Sequence, residues 1–311
     1  MHDASPRRRL RPVVFAAVGA LLVLAVAVVA AQWWRDTSDG AAFIASYPGG
    51  VTPPAGTPVG FPAWLSWTHA LNAFFLLFIV SSALHLRAGA RPPAFVTRRN
   101  RWLRTSTAPK RLGLHTWWHL LVVTLWIATG LVYVTLLVVS GHWARIVPTE
   151  WSVIPNAVSA GLQYLSLDWP EHTSWAYYNA LQVLFYGTTV FVAAPLALVT
   201  GLRLSPVWPQ RWMRNHGPLS DAWARQTHSL VLWFYLAFTV VHVGLVLLTG
   251  ARRNLNAMYV GIDDAESWLG VVVFAASVVV MAVAWVLLRP PAQVAIAERV
   301  ADVRRMPATP R

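Results

Sequence analysis

The sequence predicts an all-α integral membrane protein of six transmembrane helices: a four-helix bundle with one extra helix at each end. Three observations predict it. First, of 311 residues 56% are apolar and only 12% charged, whereas soluble domains carry about a quarter charged residues. Second, the apolar residues collect in six runs, 13–31, 64–84, 117–140, 176–202, 229–248 and 268–288, and none of the six holds Asp, Glu, Lys or Arg. Each run is near or above the roughly 20 residues that cross a bilayer, and a charge at mid-bilayer costs at least about 2.5 kcal/mol. Third, the segments between the runs alternate in charge. Segments 1–12, 87–115, 203–226 and 289–311 hold 21 of the 25 Lys and Arg; segments 32–62, 141–175 and 250–266 hold the other 4. The positive-inside rule then places both termini in the cytoplasm.

The elements follow in order. The first run has a basic start, Arg7-Arg8-Arg9, and small residues at its end, Ala30-Ala31. Both are features of a secretory leader, but the apolar stretch is longer than a leader core, so a retained helix is expected. Residues 1–34 form the N-terminus and first helix, 35–260 the core with four helices, and 261–311 the last helix and a basic tail. Loop 46–62 is rich in Pro and Gly and reads as irregular. Loop 87–114, with Arg98-Arg99-Asn100-Arg101, reads as a topology determinant lying on anionic headgroups; a docking surface for a cytoplasmic partner is the alternative. Loop 141–175 is long enough for a short surface helix, and the tail from Arg289 for a short helix and a disordered end. Many of the 18 tryptophans, such as Trp33-Trp34, Trp117-Trp118, Trp143 and Trp268, sit at span ends, where amphipathic rings favour the interface. The net charge of +13 thus reflects topology, and nucleic acid is not an expected partner.

Histidines are the ionisable residues left inside the spans: His69, His119 and His242, with His228 at the first turn of the fifth. Intramembrane ionisable groups are functional candidates by default. His228 and His242 are 14 residues apart, within about 40° of four whole turns, so both share one helix face at depths roughly 21 Å apart. That suits two metal porphyrins, one near each surface. Span direction assigns the partners: His69 matches His242 in depth, and His119 matches His228. Imidazole suits haem iron, and bis-histidine ligation leaves no open position, which favours electron transfer. The chain has no cysteine, which excludes disulfides, thiolate-held iron–sulfur clusters and thioether-linked haem, so two non-covalent b haems are expected.

The remaining histidines are weaker candidates. His115, one turn before His119, is its rival as a ligand. His85 lies about 160° around the helix from His69 and could approach only the second haem. His142, His172 and His216 fall in loops, and His2 carries no signal. Gly130 lies three turns after His119 on the same face, where it would admit a flat macrocycle or a neighbouring helix. Arg111 and Arg225, with Arg145 on the other side, are candidates to meet propionates.

Several stretches resemble one family. They are Trp67-Thr68-His69-Ala70-Leu71-Asn72 with Ser81-Ser82; Trp118-His119 with Thr129-Gly130-Leu131-Val132-Tyr133 and Ser140-Gly141-His142-Trp143; Tyr178-Asn179-Ala180-Leu181-Gln182 running to Pro195-Leu196 and Thr200-Gly201-Leu202; and Ala224-Arg225-Gln226-Thr227-His228 with His242-Val243. In order and spacing the set resembles the bacterial di-haem b-type cytochrome subunits that anchor formate dehydrogenase, nickel–iron hydrogenase and especially thiosulfate-reductase-like molybdoenzymes. The resemblance implies a multi-pass protein of the bacterial cell membrane with ligands His69, His119, His228 and His242. Two departures stand out. The family usually has Arg two or three residues before the first histidine and Trp after it, where this chain reads Leu65-Ser66-Trp67-Thr68-His69-Ala70. The extra first helix and basic loop 87–115 imply a core inverted relative to the usual arrangement.

The expected function is transfer of electrons across the membrane between a quinone pool and a partner oxidoreductase subunit of molybdenum or iron–sulfur chemistry. A stand-alone transmembrane haem reductase with a soluble donor or acceptor is the alternative. A haem-free transporter or assembly factor is the alternative of another class, and the absence of intramembrane carboxylates argues against ion-coupled transport.

Overall fold

The computed structural model describes residues 6–99, 109–169, 174–206, 208–209 and 217–307. His2, Asn100, Arg101, His172, His216 and the last four residues lie outside them. In chain order the chain forms α1 (Pro6–Arg35), α2 (Ser38–Ser46), α3 (Ala63–Arg87), β1 (Ala94–Arg98), β2 (Arg111–Gly113) and α4 (Leu114–Val139). A 3₁₀ turn (His142–Arg145), α5 (Val153–Leu165) and α6 (Ala180–Thr188) follow. A π-helical turn (Thr189–Ala193) leads to α7 (Ala194–Leu204), α8 (Asp221–Leu248), α9 (Ala251–Val260), α10 (Leu269–Leu287), α11 (Pro290–Val300) and β3 (Ala301–Arg305).

Among the described residues, six helical segments are long and apolar enough to cross a membrane: Val14–Arg35, Ala63–Arg87, Leu114–Val139, Ala180–Leu204, Asp221–Leu248 and Leu269–Leu287. The protein is a six-span helical membrane protein. The ends of these spans have local causes. Asn179 and Gln182 form a capping box at the start of α6, satisfying two backbone donors that a helix start leaves orphaned. Ser220 caps α8 by accepting from the Trp223 N–H, with Asp221 favourably placed in the first turn. Pro195 has no N–H to donate one turn back, and the helix widens into the π turn just before it.

The chain divides into two compact units. The first comprises residues 1–59 and 142–190. Here the end of α1 is tied to the end of α5: the Gln32 side chain donates to the Ser166 carbonyl (3.1 Å), and Arg35 pairs with Asp168 and donates to the Ser166 hydroxyl. The short helix expected in loop 141–175 is α5. Its polar side chains turn inward, where Asn156 accepts from the Gly49 N–H (3.0 Å) and Gln163 donates to the Pro48 carbonyl (3.1 Å). Its outward positions, Ile154 and Val158, are apolar, as is the fully exposed Trp151 before it, a pattern that suits a helix lying in a lipid interface. Arg145 is buried; it donates to the Ser174 and Trp175 carbonyls and lies 4.7 Å from the Tyr178 ring. Burial pushes the Tyr178 hydroxyl pKa up, an effect the Arg145 charge opposes.

The second unit comprises residues 60–141 and 191–311. It contains the antiparallel hairpin α3–α4, the pair α7–α8, and α10 packed on α9 and α3. Phe78, Trp118 and Val122 bury the α3–α4 seam. Helix α9 is fixed by Asn256, which is fully buried: its amide donates to the Asp264 (2.8 Å) and Ser267 (2.7 Å) carbonyls, and its oxygen accepts from the Gly270 N–H (2.6 Å). Gly261 closes α9 at φ +73°, and a Cβ there would meet the Phe61 carbonyl oxygen at 2.8 Å. The basic segments, read from sequence as loop and tail, instead carry a three-stranded antiparallel sheet of order β2-β1-β3, with Val96 opposite both Leu112 and Val303. Ala94 and Val96 of this sheet pack on Leu114, Val294 and Ala297. Arg99 clasps the C-terminal segment, pairing with Asp302 (3.0 Å) and donating to the Glu298 carbonyl (2.9 Å).

Candidate functional site: two facing pairs of imidazoles

The site lies in the second unit and is built from α3, α4 and α8, with α7 and α9 in support. Helix α8 presents His228 near its start and His242 near its end on one face, as the 14-residue spacing requires. His69 stands in the second turn of α3 and His119 in the second turn of α4. Because α3 and α4 are antiparallel, these two lie at opposite ends of the hairpin. The result is two levels. The His69 and His242 rings have centroids 6.2 Å apart at an interplanar angle of 58°, and the His119 and His228 rings 6.5 Å apart at 78°. Side chains reach between α8 and its neighbours: the imidazoles at both levels, and Arg87 of α3, which donates to the Ser229 hydroxyl and lies over the Trp233 ring of α8.

Hydrogen bonds fix the ring state at one level. His119 Nδ1 lies 2.9 Å from the Ser82 hydroxyl, and His228 Nδ1 lies 2.9 Å from the Thr200 hydroxyl. Each hydroxyl already has an acceptor for its own proton: Ser82 donates to the Phe78 carbonyl (2.8 Å) and Thr200 to the Leu196 carbonyl (2.5 Å). A hydroxyl has one proton and can also accept; with that proton on the carbonyl it accepts from a ring Nδ1–H, the tautomer that leaves the lone pair on Nε2. The two rings so held have centroids 6.5 Å apart. Metal-ligating histidines ordinarily carry a hydrogen-bond partner on the other ring nitrogen.

The other level is supported differently. His242 stacks on Phe238 (5.3 Å, 9°), which stacks on Phe234 (6.1 Å, 16°), a column one turn apart along α8. His69 meets the edge of Tyr259 of α9 at 6.2 Å. Its Nδ1 is buried without a hydrogen-bond partner.

Among the described residues no cluster of three or more His, Cys, Asp or Glu is placed to bind a metal ion. Structural zinc takes four protein ligands and catalytic zinc three with a water; each level here offers two imidazoles.

The other expected site residues separate. His115 is stacked on His85 (5.1 Å, 23°), and His85 Nδ1 lies 2.7 Å from the Ser81 carbonyl oxygen, so it is His119, not His115, that faces His228. No atom lies within 4 Å of where a Cβ on Gly130 would stand, so this glycine does not mark a close helix contact. Arg111 lies over the Phe95 ring (3.9 Å) on the sheet, and the exposed Arg225 pairs with Asp221 (3.1 Å). The structure places neither on an imidazole. Sequence reasoning gave no role to Ser82, Thr200 or Arg203. Arg203, buried at the end of α7, pairs with Asp221 (2.5 Å) and donates to the Leu219 carbonyl (2.6 Å).

Comparison with protein families, curated proteins and solved structures finds no match to this chain.

Proposed function

We propose that this chain is a di-haem b-type cytochrome that passes electrons across the membrane between a quinone pool and a partner oxidoreductase subunit of molybdenum or iron–sulfur chemistry. The observation that carries the reading is the pair of ring separations, 6.2 and 6.5 Å. Metal–imidazole bonds are about 2 Å long. With each ring centre about 1 Å behind its ligating nitrogen, two imidazoles on opposite sides of one metal stand roughly 6 Å apart. Both levels meet this distance independently.

When bound, each haem would supply a one-electron couple. The chain's residues hold and orient it. His69 and His242 would hold one haem, and His119 and His228 the other. Ser82 and Thr200 keep two of the rings in the ligating tautomer, and the Phe234–Phe238 column buttresses His242. The charge asymmetry of the loops puts the His119–His228 level toward the cytoplasm and the His69–His242 level toward the outer face, in a bacterial cell membrane with both termini inside. The partner and the quinone rest on the resemblance in sequence, not on a contact in the fold.

A reduced-minus-oxidised spectrum of the purified chain, with haem quantified per polypeptide, tests the reading. Two b haems are expected. His242→Ala should remove one, and His69→Ala the same one spectroscopically. A preparation without haem, or a His242→Ala protein that keeps both, overturns it.

A further inference from the structure

We infer that Ser82 and Thr200 are positioning residues that make the His119–His228 level the stronger electron-donating pair, and so the lower-potential haem of the two. The inference rests on the cytochrome reading and extends it to residues that are not ligands.

Both hydroxyls are buried in the protein, with relative exposures of 4% for Ser82 and 0% for Thr200. Each lies within hydrogen-bond distance of a ring Nδ1 and of a backbone carbonyl, and in the Nδ1–H tautomer it completes a chain from ring N–H to hydroxyl to carbonyl. Donating its own proton polarises the hydroxyl and strengthens it as an acceptor. An acceptor on Nδ1–H raises the basicity of Nε2 in the same ring. A more basic axial nitrogen stabilises the oxidised, more positive iron, which lowers its potential. At this level both rings receive the effect. At the other level His69 Nδ1 is buried with no acceptor, so at least one of its two rings is the weaker donor. The two hydroxyls come from different helices, α3 and α7, and act on rings from two more, α4 and α8. No single helix distortion reproduces the pattern.

The experiment is an optical redox titration of the purified full-length chain, wild type against Ser82→Ala, Thr200→Val, Ser82→Thr and Thr200→Ser. His242→Ala, which removes the His69–His242 haem, assigns the components. The wild type should titrate in two steps, the lower one persisting in His242→Ala. Ser82→Ala and Thr200→Val should each shift the lower step to higher potential and leave the upper step in place, while Ser82→Thr and Thr200→Ser keep the wild-type value. Should Ser82→Ala release the haem, Thr200→Val, acting on the opposite ring with its shape preserved, carries the comparison. A lower step that does not move, a shift confined to the upper step, or a lower step assigned to His69–His242 overturns the inference and leaves the cytochrome reading standing. Absence of haem from the wild type overturns both.

Discussion

Gly201 leaves room for an imidazole. A Cβ at this position would lie 3.3 Å from His228 Cε1, close enough that the ring would have to give way. An alanine asks for a few tenths of an ångström; the branched side chain of valine asks for more than the ring can yield while keeping its bond to Thr200. Gly201→Val should therefore lower the haem content from two per chain toward one, with the spectrum of the remaining haem that of the His69–His242 level. Haem quantification and the difference spectrum check this. The four ligand candidates were legible from sequence because they are the ionisable groups of otherwise apolar spans, and helix geometry alone pairs them by depth. The hydroxyls were not. Ser and Thr inside helices commonly bond to the carbonyl one turn back, as both do here; only the fold shows that a histidine nitrogen completes each bond.

Among the elements, α9 shows what hydropathy does not read. It carries Arg252 and Arg253, the latter paired with Asp263 at 2.6 Å, and its composition is that of a loop. Yet it packs on α3, α8 and α10 and brings Tyr259 to His69. One side chain secures it. Removing the Asn256 amide leaves two carbonyls and one N–H without their partner, and buried groups of this kind cost about 1–3 kcal/mol each. Asn256→Ala should destabilise the protein by about 2–5 kcal/mol. A lower unfolding temperature in detergent, with earlier loss of the His69–His242 haem than of the other on heating, is the expected result. A matching stability for variant and wild type would contradict it. The Arg253–Asp263 pair, which holds the Asp263 pKa below the usual carboxylate range, contributes to stability above that range and ceases to do so as pH falls through the lowered value. The sheet escaped sequence reading for a related reason: strands of three and five residues among many arginines show too little alternation to rise above a basic loop.

At the scale of the whole molecule, the six spans were legible because lipid imposes one rule over their full length: apolar side chains and internally bonded backbone. Their ends were less so. The fourth span was read as 176–202 and is helical over Ala180–Leu204, because the Asn179 cap sets its start. The charge asymmetry predicts orientation. Reporter fusions placed after residue 307 and within the 46–62 loop should fall on opposite sides, the first in the cytoplasm. Both on one side would reverse the assignment of the two haem levels.

The central strand of the small sheet has a further consequence. β1 is joined to β2 by the hairpin between the second and third spans, but its other edge is completed by β3, the last element described. As the chain leaves the ribosome, that edge stays open until about two hundred further residues and four more spans have been inserted. The sheet is therefore closed by a late segment: a nascent chain arrested before Ala301 carries a bare strand edge on its basic side.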